Sequence, residues 1–117
     1  MKTSELQGAA LDWAVVKCEC AIPAAFKSIP ALLNGTVRVF RGDISSYSEP
    51  VSPSTNWAHG GPIIEREEIC VLAPVRGLWR GRKEGRTQYG PTPLIAAMRC
   101  YVASKLSDEV EIPEELK

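Results

Sequence analysis

The sequence predicts a single α+β domain spanning residues 1–117. An antiparallel sheet of three or four short strands would pack against an N-terminal and a C-terminal helix. Two observations support this prediction. Apolar residues recur at helical spacing near both ends of the chain, and short β-branched runs with turn residues between them fill the middle. A length of 117 residues suits one hydrophobic core and is too short for two.

The first element is a predicted helix over residues 4–19. Ser4 and Gln7 fit a capping box at its start, and the apolar residues that follow fall on one face. Gly8 weakens the helix locally. Two Ile-Pro pairs then stop any continuation, because the residue before proline avoids the helical region.

Residues 20–35 are expected to be irregular and to end in a turn at Asn34-Gly35. The alternating, β-branched residues 36–40 predict a strand. Residues 42–56 are rich in serine, proline and glycine, and we expect a long loop there. A loop of that length in a small domain is either functional or mobile.

The second half begins with a short predicted helix at residues 62–67, with proline at its first position and carboxylates in its first turns. The start of a strand is the competing interpretation, since Ile63 and Ile64 fit a helix and a strand equally. Residues 69–72 read as a strand, residues 78–82 as its returning partner in a hairpin, and Gln88-Tyr89 as a further extension.

The last helix starts at Thr92 as N-cap and Pro93 as first helical residue. One face of this helix carries the apolar residues Ile95, Met98, Val102 and Leu106. A second stripe, which would let another element approach closely, consists of Ala96, Cys100 and Ala103. Residues 107–117 form an acidic tail that we expect to be partly ordered, with Val110 and Ile112 attaching it to the domain.

Composition limits the function classes. Fourteen basic residues balance fourteen acidic ones, so a protein that coats nucleic acid through general basic charge is disfavoured. The chain has no apolar run of about 20 residues and no signal-peptide pattern at its start. We therefore expect a cytoplasmic protein that does not enter a membrane.

Cysteine and histidine give no sign of a catalytic or metal centre. Only Cys18 and Cys20 are close in sequence, and a spacing of one residue suits zinc poorly. We expect all four cysteines to be free thiols. His59 has no nucleophile beside it in the sequence, and we expect an exposed loop histidine. No catalytic residue, metal or cofactor is predicted.

The central motif is the first candidate site. Polar side chains, an aromatic ring and a glycine pair precede the predicted helix at 62–67, an order that suits a nucleotide-like anion held by backbone amides. The residues are Ser54, Thr55, Asn56, Trp57, Gly60 and Gly61, with Arg99 of the last helix reaching the same place or pairing with an acid such as Glu65. The alternative is that these residues only shape a tight corner.

A basic cluster is the second candidate site. It comprises Arg76, Arg80, Arg82, Lys83 and Arg86, with Trp79 and Tyr89 interleaved. Guanidinium groups with aromatic rings can bind phosphates or single-stranded nucleic acid. The alternative is an ordinary hairpin with one basic face, and we favour it.

Three segments together carry a family resemblance: residues 6–15, residues 52–67 around Trp57-Ala58-His59-Gly60-Gly61-Pro62, and residues 90–105. The chain resembles the NinX-type family of small accessory proteins of lambdoid phages and prophages. In that family, aspartate is more usual at the position of Asn56, and glutamine at that of His59. The resemblance implies a helper role in the cytoplasm of an infected or lysogenic bacterium. It supplies no catalytic residue.

The leading functional hypothesis is a non-catalytic protein that binds a small anionic or nucleotide-like molecule. The alternative is an adaptor in phage recombination or host takeover, which would bind a host or phage protein; nucleic acid is the less favoured partner. A homo-oligomer is compatible with either hypothesis.

Overall fold

A computed structural model describes residues 1–21, 28–41 and 48–117. Three α-helices and six strands lie in these ranges. They are α1 (Gly8–Cys20), β1 (Ser28–Leu33), β2 (Thr36–Arg41), β3 (Ser48–Pro50), α2 (Trp57–Glu67), β4 (Cys70–Val75), β5 (Leu78–Lys83), β6 (Arg86–Gly90) and α3 (Pro93–Lys105). Short 3-10 turns occur at Thr3–Glu5 and Glu114–Leu116.

The predicted α+β class is confirmed. Its strands form two antiparallel sheets of three, in the orders β1-β2-β3 and β4-β5-β6, where one sheet of three or four was expected. Helix α1 packs against the first sheet, α3 packs against the second, and the two helices contact each other. The domain therefore joins its sheets through a central pair of helices.

Helix α1 starts four residues later than predicted. Gly8 has a φ of +55°, so the chain turns there and residues 3–5 form a separate 3-10 turn. Gln7 occupies the N-cap position without a side-chain hydrogen bond, and the capping box predicted at Ser4 is wrong. The glycine that was expected only to weaken the helix instead marks its beginning.

The first sheet corrects the later part of the irregular segment predicted at 20–35, whose residues 22–27 lie outside the described residues. Residues 28–33 form β1, in which Pro30 lies opposite Val39 of β2. The turn at Asn34-Gly35 is confirmed, with φ values of +50° and +78° that suit a two-residue hairpin. The strand prediction at 36–40 is also confirmed. The predicted loop at 42–56 contains β3, and its residues 42–47 lie outside the described residues.

The second sheet is a meander whose turns repeat the same geometry. Arg76 and Gly77 join β4 to β5, Glu84 and Gly85 join β5 to β6, and all four have positive φ. The strands predicted at 69–72, 78–82 and 88–89 are thus present, and each is longer than expected.

Helix α2 starts at Trp57, five residues earlier than the predicted start at Pro62. The Asn56 side chain accepts a hydrogen bond of 2.8 Å from the Ala58 amide and so caps the helix. Pro62 lies inside the helix. The glycine pair is a poor helix former and proline favours the first helical position, and this is why the sequence pattern started the helix at Pro62.

Helix α3 has the predicted start, with the Thr92 hydroxyl accepting a hydrogen bond from the Ile95 amide at 3.1 Å. It is buried on nearly every side, including all residues from Ala96 to Ala103. The predicted single apolar face was therefore too narrow, and Leu106 at its end is exposed. The predicted close approach is confirmed: a Cβ atom at Gly81 would lie 2.6 Å from the Ala96 carbonyl oxygen.

The core has a large part around α1 and α3 and a small part under the first sheet. Val16 of α1 packs there with Val37 and Val39 of β2. Val110 and Ile112 of the acidic tail are buried in the large part, as expected. Backbone hydrogen bonds between Thr3 and Asp108 and between Met1 and Val110 attach the tail to the start of the chain.

Met98→Ala should destabilise the protein far more than Arg82→Ala. Met98 is fully buried in the large core, and removing such a side chain costs about 2–5 kcal/mol. Arg82 is exposed, and its truncation should change the free energy of unfolding by about 0.5 kcal/mol or less. Urea unfolding of both variants measures the difference. Equal losses of stability would contradict the placement of Met98 in the core.

Candidate functional site

The central motif lies where α2 and α3 begin. Trp57 is the first residue of α2, and its side chain is 54% exposed although it is the largest in the motif. It borders a pocket of about 190 Å³ between the two helix starts. The pocket is lined by Ser54, Thr55, Trp57, Thr92, Pro93, Leu94 and Ile95.

The base of this pocket is fixed by Asp12 of α1. Its carboxylate accepts a buried hydrogen bond of 2.8 Å from the Ser54 amide. Burial raises the pKa of Asp12, while the Ser54 hydroxyl, the Ser54 amide and His59 lower it. The Ser54 hydroxyl is fully buried and, although it lies near this carboxylate, has no hydrogen bond of acceptable geometry within the described residues. Asp12 therefore positions the segment that carries Ser54.

His59 lies in the first turn of α2, partly buried, and not in an exposed loop as expected. Its Nδ1 accepts a hydrogen bond of 3.0 Å from the Ser52 amide. The imidazole ring thereby fixes the turn that precedes the helix, and its hydrogen-bond acceptor is used within the protein.

The two central glycines differ in their surroundings. A Cβ atom at Gly60 would lie 2.4 Å from the Pro53 carbonyl oxygen and 2.6 Å from Leu94 Cδ1, so α2 needs glycine there to approach α3. A Cβ atom at Gly61 would meet only Trp57, at 3.9 Å. Both glycines belong to the helix, so they do not form a backbone loop ahead of it as we expected.

Arg99 lies apart from the pocket. Its Nε donates to the Leu6 carbonyl at 2.8 Å and its Nη1 to the Tyr89 carbonyl at 2.7 Å. Burial lowers the pKa of the Arg99 guanidinium. The expected pairing with Glu65 is not among the contacts of the described residues. Arg99 thus joins the start of α1 to the end of β6.

The basic cluster is divided by strand alternation. Gly81 faces α3, so its neighbours Arg80 and Arg82 point to the opposite side of the second sheet. Lys83 donates to the Glu67 carbonyl at 2.9 Å, and Arg86 donates to the Ala103 carbonyl at 3.2 Å. Arg76 lies in the exposed turn between β4 and β5. Only Arg80 and Arg82 of the five share the outward face.

An ionisable cluster that the sequence analysis did not predict lies at the other end of α2. Arg66 forms two hydrogen bonds to Glu19 of α1, at 3.0 and 2.5 Å, and the buried Tyr101 hydroxyl donates to the same carboxylate at 2.5 Å. Burial and the contact with Glu19 raise the pKa of Tyr101. Glu19 and Arg66 are 47 residues apart in the chain, so no local pattern could pair them.

Glu67 extends this cluster to the second sheet. Its carboxylate lies 2.9 Å from Arg66 Nε, 3.1 Å from Lys105 Nζ and 3.5 Å from Lys83 Nζ. Burial acts to raise the pKa of Glu67, but the hydrogen bonds from Arg66 and Lys105 outweigh it and lower the pKa to about 2. Every member is engaged by another, so the cluster holds α1, α2, β5 and α3 together.

All four cysteines are free, as expected. Cys18 and Cys100 are buried, and burial raises the pKa of the Cys18 thiol to about 12. Neither buried thiol is therefore an activated nucleophile. Within the described ranges, no three acidic, cysteine or histidine side chains are grouped as a metal ion would require.

Gly60→Ala and Gly61→Ala should have opposite effects. The first places a Cβ atom against backbone and should cost about 1–3 kcal/mol by overpacking. The second adds an alanine to a helix without a clash and should stabilise it by up to about 1 kcal/mol. Urea unfolding of the pair gives the answer. A Gly60→Ala variant as stable as Gly61→Ala would show that α2 does not pack on α3 at this point.

Lowering the pH should weaken the contribution of Glu67 to the stability of the folded protein. Since its folded pKa lies below the ordinary 4.5, its contribution is present above that value and is lost as the pH falls towards 2. Glu67→Gln should therefore be less stable than wild type at pH 7, and the difference should shrink at pH 3. Glu65→Gln, an exposed change in the same helix, is the control. A difference that does not depend on pH would refute the ionic role of Glu67.

No helix among the described residues has the length and apolar character needed to cross a membrane.

Comparison with known proteins identifies the family of the chain. No curated protein matches the chain. The family model described as bacteriophage P22, NinX matches residues 2–105, from the first 3-10 turn to the end of α3. The match covers the pocket, Asp12, the ionisable cluster and both sheets. The chain therefore belongs to the family described as bacteriophage P22, NinX.

Proposed function

We propose that this phage protein is a non-catalytic binding protein of the bacterial cytoplasm, and that its ligand is a small anionic molecule with a flat ring. The observation that carries the proposal is the meeting of two helix N-termini around one pocket, beside an exposed tryptophan. Helix N-termini favour negative charge because their amide groups and dipoles point towards the ligand.

The pocket favours a ring for its apolar part. Trp57 supplies a stacking surface, and Pro93, Leu94 and Ile95 supply apolar walls. Its volume of about 190 Å³ is below the roughly 300–1,000 Å³ of sites that enclose a whole drug-sized ligand. The pocket therefore accepts a nucleobase-sized ring and leaves the rest of the ligand in solvent, where an anionic group lies near the helix starts.

The polar end of the pocket offers specific contacts. The Ser54 hydroxyl is buried beside Asp12 and helps to hold the pocket wall in place. Thr55 is exposed beside it. Arg99 takes no part, since its donors bind the carbonyls of Leu6 and Tyr89. The Ala58 and Ile95 amides already bind the capping side chains of Asn56 and Thr92, so anion recognition in this proposal rests mainly on the helix dipoles and we expect modest affinity.

A thermal-shift screen with mono-, di- and cyclic nucleotides tests the proposal, with a free nucleoside and inorganic phosphate separating the ring from the anion. A nucleotide should raise the melting temperature of the wild type. Trp57→Ala should remove the shift, because stacking on an aromatic ring contributes about 1–3 kcal/mol.

Leu33→Ala is the control, because Leu33 is similarly exposed, at 52%, and lies outside the pocket lining. This variant should keep the full shift. If no nucleotide, nucleoside or phosphate shifts the wild type, or if Trp57→Ala responds like the wild type, the pocket is not the binding site.

A further inference from the structure

We propose that the outward face of the second sheet binds single-stranded nucleic acid. This face, called the outer sheet face, is the side of β4-β5-β6 opposite α3. Strand pairing places Arg80, Arg82 and Tyr89 on it, together with the exposed apolar residues Val75 and Leu78. The site is distinct from the pocket and does not depend on the function proposed for it.

Strand register places the two arginines at the centre of the outer sheet face. Arg80 is opposite Leu72 of β4 and Tyr89 of β6, and Arg82 is opposite Cys70 and Thr87. Cross-strand partners share a face and lie within side-chain contact range. Register therefore places Arg80 between Tyr89 on one neighbouring strand and Leu72 on the other.

Exposure shows that the described residues leave this face open. Tyr89 is 52% exposed, Leu78 is 44% exposed and Arg82 is exposed. The Arg80 Nε is buried and has no hydrogen-bond partner among the described residues. Buried donors are normally satisfied, and this one lies beside an open surface.

Charge selects the kind of partner. Every charged side chain of the outer sheet face is an arginine, so its local field favours a polyanion although the whole chain is neutral. An exposed tyrosine and planar guanidinium groups both stack on bases, and the second sheet presents them on one face. Basic residues elsewhere in the sheet are occupied, since Lys83 and Arg86 bind carbonyl oxygens on the α3 side.

Fluorescence anisotropy with a labelled single-stranded oligo(dT), and in parallel with oligo(U), tests the inference on the full chain. The wild type should bind at low salt and weaken as salt rises, because each phosphate contact contributes about −0.7 to the logarithmic salt slope. Tyr89→Ala should weaken binding roughly 5- to 150-fold through lost stacking. Arg82→Ala should weaken it and reduce the salt slope by about 0.7.

Two control variants separate this face from the rest of the molecule. Lys17→Ala removes an exposed cation of α1, and Leu33→Ala removes an exposed apolar side chain of β1. Both should bind like the wild type. Absence of binding to either oligonucleotide overturns the inference and leaves the face to an acidic protein partner. Equal binding by Arg82→Ala, Tyr89→Ala and the two controls overturns it as well.

Discussion

The fold depends on the direct contact between α3 and the backbone of the second sheet. Side chains at Gly81 and Gly90 would overlap Ala96 atoms, at 2.6 Å from its carbonyl oxygen and 2.7 Å from its amide nitrogen. Helix and sheet can lie this close only when the sheet has no side chain at the crossing point and the helix carries a small one. Because α3 is also the partner of α1 and α2, the position of each of these helices follows from that contact.

The same close packing fixes where functional groups can be. With α3 covering one side of the second sheet, the inward side chains of β5 and β6 bind α3 or α2, and only the outward ones remain for a partner. At the α2–α3 contact, Gly60 likewise allows close approach because it has no side chain. This contact brings the two helix starts together around the pocket. Candidate binding surfaces thus lie on the sides of elements that do not face the core.

Sequence patterns predicted the features that depend on local chemistry. The Asn34-Gly35 turn, the Thr92 cap and the small-residue stripe of α3 are set by neighbouring residues and were found as expected. The predicted features that depend on distant contacts were wrong or incomplete. Helix α2 tolerates two glycines and a proline because tertiary packing outweighs intrinsic propensity. Arg99 reaches Leu6, 93 residues away, and no local pattern indicates such a partner.

The Arg99–Leu6 contact also sets an order of events during synthesis. The carbonyl that precedes α1 is made early, whereas the guanidinium that binds it follows 93 residues later. At bacterial rates of about 5–20 residues per second, the start of α1 waits roughly 5–20 s for this partner. During that interval the apolar side of α1 has neither α3 nor the tail to cover it. A nascent chain of this protein therefore cannot complete the packing of α1 until its last helix has been made.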